Sequence, residues 1–224
     1  MYMISNNLIF DIWGTLYDWK RSIQYWLEKI NRQLLNNLLS QEEMYSIYKN
    51  IYTQYAIKHW DIVLWEIAHF NKLSMELSYK GDLMELFEVY KQTVIDNMFL
   101  FKNVKTSLEE LYKSWYNLYI LSNWRTTNQI LKLKIWWISE LFKTIYISED
   151  IGIIKPDKKV FQYILSQENL NPQDCIMIWD SVVEDIKPAM DLWMKWLLFT
   201  TNPSLNQKNS FSEYKELTWT IRNL

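Results

Sequence analysis

Four short polar motifs carry the side chains best able to do chemistry in this 224-residue chain. The apolar run Leu8-Ile9-Phe10 ends in Asp11, and Gly14-Thr15 follow. Leu118-Tyr119-Ile120-Leu121 ends in Ser122-Asn123. Lys155-Pro156 opens a helix-like stretch. Cys175-Ile176-Met177-Ile178 runs into Asp180-Ser181, with Asp185 beyond. In an open α/β sheet, ligands bind beyond the carboxyl ends of the strands. Carboxylates, a hydroxyl and a lysine delivered to one such edge could hold a divalent metal and a phosphoryl group. Taken singly, each motif has a bland reading. Asp11 could cap a turn, Ser122 a helix, and Lys155 or Asp185 could be surface charges. Their order along the chain is what points to one site.

The elements that must position these groups follow from periodicity. From about residue 99 onward, helical and strand-like patterns alternate, as in an α/β fold. Strands are expected near 8–11, 117–121, 144–148, 174–179 and 196–200. Helices are expected near 104–114, 126–135, 156–167 and 183–192. This makes a Rossmann-like sheet of five parallel strands with right-handed crossovers. Between them, residues 18–97 show helical spacing, for example Ile23, Trp26, Leu27 and Ile30. This predicts a helical insert of about four helices, leaving 1–17 and 98–224 as the core domain. Ser40 with Glu43 forms a capping-box pattern, and Gly81 or Asp82 is placed to start the last helix of the insert. His59 and His69 lie in the insert without an evident partner, and its tyrosines, such as Tyr48, read as core. The polar segment 201–210 reads as a loop, and 213–224 as a short helix or a tail.

Composition narrows the classes. The residues are 49% hydrophobic and 22% charged with a formal net charge of -2, which is globular and gives no nucleic-acid or membrane footprint. The single cysteine, Cys175, has no internal disulfide partner and suits a reducing compartment. No apolar run reaches the ~18 residues of a membrane span, and the first residues lack the pattern of a secretory leader. A cytoplasmic protein is expected. Oligomeric state is not readable.

One pair of counts does not fit: 13 Trp against 3 Gly. Glycine averages ~7% of residues, so about 16 are expected, close to the two counts together. Trp115, Trp137 and Trp193 each follow a helix-like stretch, where the chain commonly turns left-handed and glycine is favoured. A bulky residue there costs roughly 1–2 kcal/mol. Some bacteria read UGA as tryptophan and others as glycine. The placement predicts that many of these tryptophans are UGA codons read as glycine. An AT-rich genome explains scarce glycine but not abundant tryptophan.

The motifs resemble those of the haloacid dehalogenase-like (HAD) superfamily. Phe10-Asp11-Ile12-Trp13-Gly14-Thr15-Leu16-Tyr17-Asp18 is similar to its first motif and Ser122-Asn123 to its second. Lys155-Pro156-Asp157-Lys158-Lys159-Val160-Phe161 is similar to the third, and Trp179-Asp180-Ser181-Val182-Val183-Glu184-Asp185-Ile186 to the fourth. The insert falls where this superfamily carries a C1-type cap. The stretch 146–156 looks most like the subfamily of phosphoglycolate phosphatases and nucleotidases. Trp124, Trp137, Trp179, Trp193 and Trp196 fall where relatives commonly have glycine.

The resemblance implies a phosphohydrolase acting on a small phosphorylated metabolite. Asp11 would be the nucleophile. Asp11, Asp180 and the backbone carbonyl of Trp13 would hold Mg²⁺. Thr15, Ser122 and Asn123 would bind phosphoryl oxygens, and Lys155 would neutralise charge and orient Asp11. Asp185 would support Lys155 or a metal-bound water. One position departs from the pattern. Phosphatases of the superfamily carry a second Asp, an acid and base, two residues after the nucleophile; here that residue is Trp13. Two alternatives therefore stand beside the phosphohydrolase: a catalytically impaired phosphate-binding relative, and a metal-independent 2-haloacid dehalogenase, whose halide leaving group needs no proton.

Overall fold

The computed structural model describes residues 6–56, 70–205 and 208–224. They form two compact units, one of residues 1–18 and 100–224 and the other of residues 19–99. The first is built on a six-stranded parallel sheet: β1 (Asn7–Phe10), β2 (Asn117–Ser122), β3 (Thr144–Ile147), β4 (Cys175–Trp179), β5 (Lys195–Phe199) and β6 (Ser210–Phe211). The strand order is β3-β2-β1-β4-β5-β6. Every residue of β1 and β4 is buried, which is why these strands read as unbroken apolar runs rather than alternating ones.

The order reverses direction at β1, so connections leave to opposite sides and open a crevice at the carboxyl ends of β1 and its neighbours. The register sets the level of those ends: Phe10 lies opposite Ile120 of β2 and Ile178 of β4. Asp11, Leu121 and Trp179 therefore come next on three adjacent strands. One face of the sheet, carrying Ile9, Tyr119, Leu121, Cys175 and Met177, packs with Val160, Phe161, Ile164 and Leu165. The sixth strand corrects the expectation of five. It comes from a segment read as a polar loop, and its two residues are too few to show a period.

In the second unit, α1 (Trp19–Leu34), α2 (Gln41–Ala56), helical residues 70–76 and α3 (Leu83–Asp96) enclose a core around Trp26. Tyr48, Phe70 and Tyr90 meet the Trp26 ring edge-on. The capping box forms: Ser40 N–H donates to Glu43 Oε2 at 2.7 Å, and Glu43 N–H to Ser40 Oγ at 3.3 Å. That bond, above all from the Ser40 backbone, holds the Glu43 carboxyl below its usual range. Asp82 caps α3 through Met84 N–H at 2.9 Å. His59 and His69 lie outside the described residues.

The remaining helices of the first unit are α4 (Val104–Lys113), α5 (Thr126–Ile135), α6 (Ser148–Ile151), α7 (Lys158–Gln167), α8 (Lys187–Met190) and α9 (Leu217–Arg222). The single helix expected at 183–192 is instead a π-helical turn, Val182–Ile186, followed by α8. Pro188 lacks the N–H a continuous helix needs and sits in the first turn of α8. No helix among the described residues is long and apolar enough to cross a membrane.

Candidate active site

Asp11 leaves β1 with its N–H bonded to Ile178 O at 3.3 Å, so its position is fixed by the strand beside it. Its carboxylate is buried and meets two donors. Ser122 Oγ donates to Oδ1 at 2.9 Å, and Lys155 Nζ donates to the same oxygen at 3.0 Å. Lys155 is itself 3% exposed. It also donates to Leu121 O at 3.0 Å, lies 3.6 Å from Asp185 Oδ1 and faces the Trp179 ring with its ammonium 3.7 Å from the ring centre. A buried ammonium between two carboxylates is compensated in charge and in hydrogen bonding, which is what lets it be buried.

The loop that delivers Lys155 is tied down by Asn123. The Asn123 side chain accepts from Lys155 N–H at 2.9 Å and donates to Lys155 O at 3.0 Å. Its amide side chain thus positions the lysine. The Lys155–Pro156 bond is cis, and Asp157 caps α7 by accepting from Lys159 N–H at 2.9 Å. Asp185 is fully buried within the π-helical turn, a distortion often found at functional sites.

Gly14 and Asp180 are in close approach. Gly14 has φ +75°, and a Cβ built on it would stand 2.1 Å from Asp180 Oδ2. Only glycine meets both demands. The Asp180 carboxylate therefore lies against the backbone that follows Asp11 and Trp13, while the residue itself is exposed to solvent. Thr15 is buried, and among the described residues its hydroxyl has no hydrogen-bond partner. Its carbonyl accepts from the hydroxyl of Tyr214 at 2.9 Å. Burial first, then the negative charges of Asp180 and Asp11, hold the Tyr214 phenol well above its usual range, so it remains a donor.

The arrangement fits a hard divalent cation. Carboxylates from the ends of two adjacent strands, with backbone oxygen and water to complete the shell, are the ligand set Mg²⁺ takes. The cradle beside Gly14, which a Cβ would fill, brings the Asp180 oxygen to the first motif. Among the described residues no group of three or more His, Cys, Asp or Glu side chains is placed to hold a metal ion alone, so backbone oxygen and water would have to complete the shell.

Besides Tyr214, two residues at the site were not anticipated from sequence. Gln129 donates to Ser122 Oγ at 2.7 Å and to Asn123 O at 3.0 Å. Lys132 donates to Gln129 Oε1 at 2.7 Å. Together they form a buried chain from α5 to Ser122 and Asp11. Burial pushes the Lys132 ammonium down to about 7, against the pull of Asp11. Its charge lies 4.9 Å from the centre of the Trp13 ring and 5.2 Å from that of Tyr17. Gln129 and Lys132 stand three apart on one helix face, a signal too common to single them out.

Comparison with known proteins bears on the identity of this site. A model of the haloacid dehalogenase-like hydrolase family matches residues 8–198. The chain belongs to that family. Among its relatives, the glyceraldehyde 3-phosphate phosphatase of Methanothermobacter thermautotrophicus is 26% identical over 201 residues, covering 85% of this chain and 84% of that one. The ribulose-1,5-bisphosphate 5-phosphatase of Halopiger xanaduensis is 27% identical over 119 residues, covering 53% of this chain and about half, 50%, of the relative. Among solved structures, the magnesium-bound HAD-hydrolase YfnB of Bacillus subtilis has the same fold, with TM-score 0.77, 20% identity and coverage of 96% and 98% of the two chains. A dehalogenase captured with an intermediate complex also shares it, with TM-score 0.72, 16% identity and 97% coverage of each chain.

Proposed function

We propose that the protein is a Mg²⁺-dependent phosphohydrolase that acts on a small phosphorylated metabolite through an aspartyl-phosphate at Asp11. The observation that carries this reading is the buried Asp11 carboxylate held at one oxygen by both Ser122 and Lys155, with the Asp180 carboxylate against Gly14 beside it. Both donors meet Oδ1, so Oδ2 is the oxygen assigned to attack.

Asp11 Oδ2 forms the bond to phosphorus, and the bond from phosphorus to the ester oxygen breaks. On substrate binding the Ser122 hydroxyl turns its single proton from Asp11 Oδ1 to a phosphoryl oxygen, beside the backbone amides around Gly14, Thr15 and Asn123. Lys155 offsets the charge that gathers on the phosphoryl group, and Asp185 and Asn123 keep it in place. Water then cleaves the acyl-phosphate and returns Asp11. Asp11, Asp180 and the Trp13 carbonyl are the residues assigned to Mg²⁺. When bound, the cation neutralises the approach of a dianionic phosphoryl group to a carboxylate. YfnB, which shares the fold, is bound to magnesium, which supports the choice of cation.

The indole N–H at position 13 is too weak an acid to protonate a departing alkoxide. General acid help is typically worth ~10²–10⁴-fold. We therefore assign faster turnover to esters with acidic leaving groups. The named relatives act on phosphorylated sugars and trioses, including an N-acylneuraminate-9-phosphatase, which favours a sugar phosphate. Residues 19–99 take the sequence position of the cap. A cytoplasmic setting agrees with the single cysteine, Cys175, being buried as a free thiol.

Hydrolysis of p-nitrophenyl phosphate with and without Mg²⁺ tests the proposal. Turnover that requires Mg²⁺ is expected. A folded protein that binds phosphate or vanadate without turnover contradicts it in favour of an impaired relative. Metal-independent release of halide from 2-haloacids contradicts it in favour of a dehalogenase.

A further inference from the structure

Nine residues other than glycine have positive φ among the described residues: four Asn, one Ser and four Trp. Asparagine tolerates this region; for a bulky side chain it is a genuine outlier. The four tryptophans are Trp115, Trp124, Trp137 and Trp193.

Three of them close helices in one repeated geometry. After α4, Trp115 N–H bonds Tyr112 O at 3.1 Å and Tyr116 N–H bonds Leu111 O at 3.2 Å. After α5, Trp137 N–H bonds Lys134 O at 3.0 Å and Ile138 N–H bonds Leu133 O at 3.1 Å. After α8, Trp193 N–H bonds Met190 O at 2.9 Å and Met194 N–H bonds Ala189 O at 3.1 Å. This pair of bonds defines the Schellman motif, whose left-handed residue is usually Gly and sometimes Asn. The end of α7 has the same two bonds, and there the residue is Asn169. The next residue, Tyr116, Ile138 or Met194, is buried each time, in keeping with the apolar contact that often accompanies the motif. The backbone and its apolar contact are thus intact, and only the side chain is wrong for the place.

Packing does not account for the indoles. Trp115, Trp137 and Trp193 are 89%, 82% and 79% exposed. Trp124 is further from what an L-residue adopts, with φ +117°, outside the left-handed helical window of about +50° to +70°. It follows Asn123 at the site, and its ring stacks on Trp13 with centroids 6.1 Å apart.

We infer that residues 115, 124, 137 and 193 are glycine in the native protein, specified by UGA codons that the source cell reads as glycine. With glycine at these four positions the chain holds 7 glycines instead of 3, a step toward the ~7% average. At position 124, glycine removes an indole stacked over the first motif and leaves the backbone after Asn123 open to a phosphoryl ligand. The inference stands on backbone geometry and does not depend on the phosphohydrolase reading.

Two observations on the source cell decide it. The gene is sequenced at codons 115, 124, 137 and 193, and tryptic peptides of the native protein are sequenced by tandem mass spectrometry. UGA at all four positions with glycine in the peptides is the expected result. UGG at any of the four, or tryptophan in the native peptides, overturns the inference. Recombinant chains with Trp or with Gly at 115, 137 and 193 give the physical test. The Gly chain is expected to unfold at a temperature higher by roughly 6–24 °C; an equal or lower Tm contradicts the geometric argument.

Discussion

Gly14→Ala separates the placement of Asp180 from the stability of the fold. At φ +75° an L-residue costs roughly 1–2 kcal/mol. The added methyl also meets Asp180 Oδ2 at 2.1 Å and Cγ at 2.6 Å, where ordinary carbon contacts begin near ~3.5 Å. The carboxylate must retreat by about 1 Å or more. Asp180 is exposed, so water takes up its carboxylate when it is displaced. The expected fall in Tm is therefore only about 2–8 °C. Catalysis has no such escape, because a 1 Å misplacement can cost ~10²-fold. Gly152→Ala is the control: its φ is +72°, yet nothing lies within 4 Å of the new methyl. Thermal unfolding and p-nitrophenyl phosphate kinetics across a Mg²⁺ titration are measured for both. Similar losses of Tm are expected, with a fall in kcat/KM of about 100-fold and weaker Mg²⁺ dependence for Gly14→Ala alone. Unchanged kinetics for Gly14→Ala would refute the argument that Asp180 must sit where this cradle puts it.

Lys155→Met leaves the carboxylates of Asp11 and Asp185 buried without their shared cation. It should destabilise by about 3–5 kcal/mol in urea unfolding, and a double-mutant cycle with Asp185→Asn should show coupling above about 1 kcal/mol. Additive single effects would contradict the pairing. Lys132 gives a pH signature. Its ammonium titrates near 7 when folded and near ~10.4 when unfolded. Between these values the unfolded chain binds more protons, so this residue makes stability rise with pH. The stability of the wild type relative to Lys132→Met should increase from pH 7 to pH 10, by up to about 3 kcal/mol. A flat difference would contradict the burial of a depressed lysine.

Much of the sheet was legible because its strands are buried on both faces. Asp11, Ser122 and Asp180 each mark the place where such an apolar run stops, so the carboxyl edge of the sheet can be read from them. Lys155 was singled out by the resemblance of Lys155-Pro156-Asp157 to a family motif, since by type alone it suits a surface lysine before a helix, the one that Asp157 caps. What sequence missed is long-range or too short. Tyr214 supports Thr15 from 199 residues away. β6 has two residues and no period to detect. Lys132 resembles a solvated helix charge until the fold closes over it. The helix ends were legible for a different reason: left-handed closure demands a residue type, and the tryptophans at 115, 137 and 193 violate that demand.

The most direct test of the account is chemical capture of the intermediate. The enzyme is mixed with p-nitrophenyl phosphate and Mg²⁺, quenched, and reduced with borohydride, which converts an acyl-phosphate to an alcohol. Peptide sequencing should find homoserine at position 11, dependent on substrate and on Mg²⁺, and absent from Asp11→Asn, which should also lack turnover. Sustained, Mg²⁺-dependent turnover by Asp11→Asn, or capture at a carboxylate other than Asp11, would contradict it.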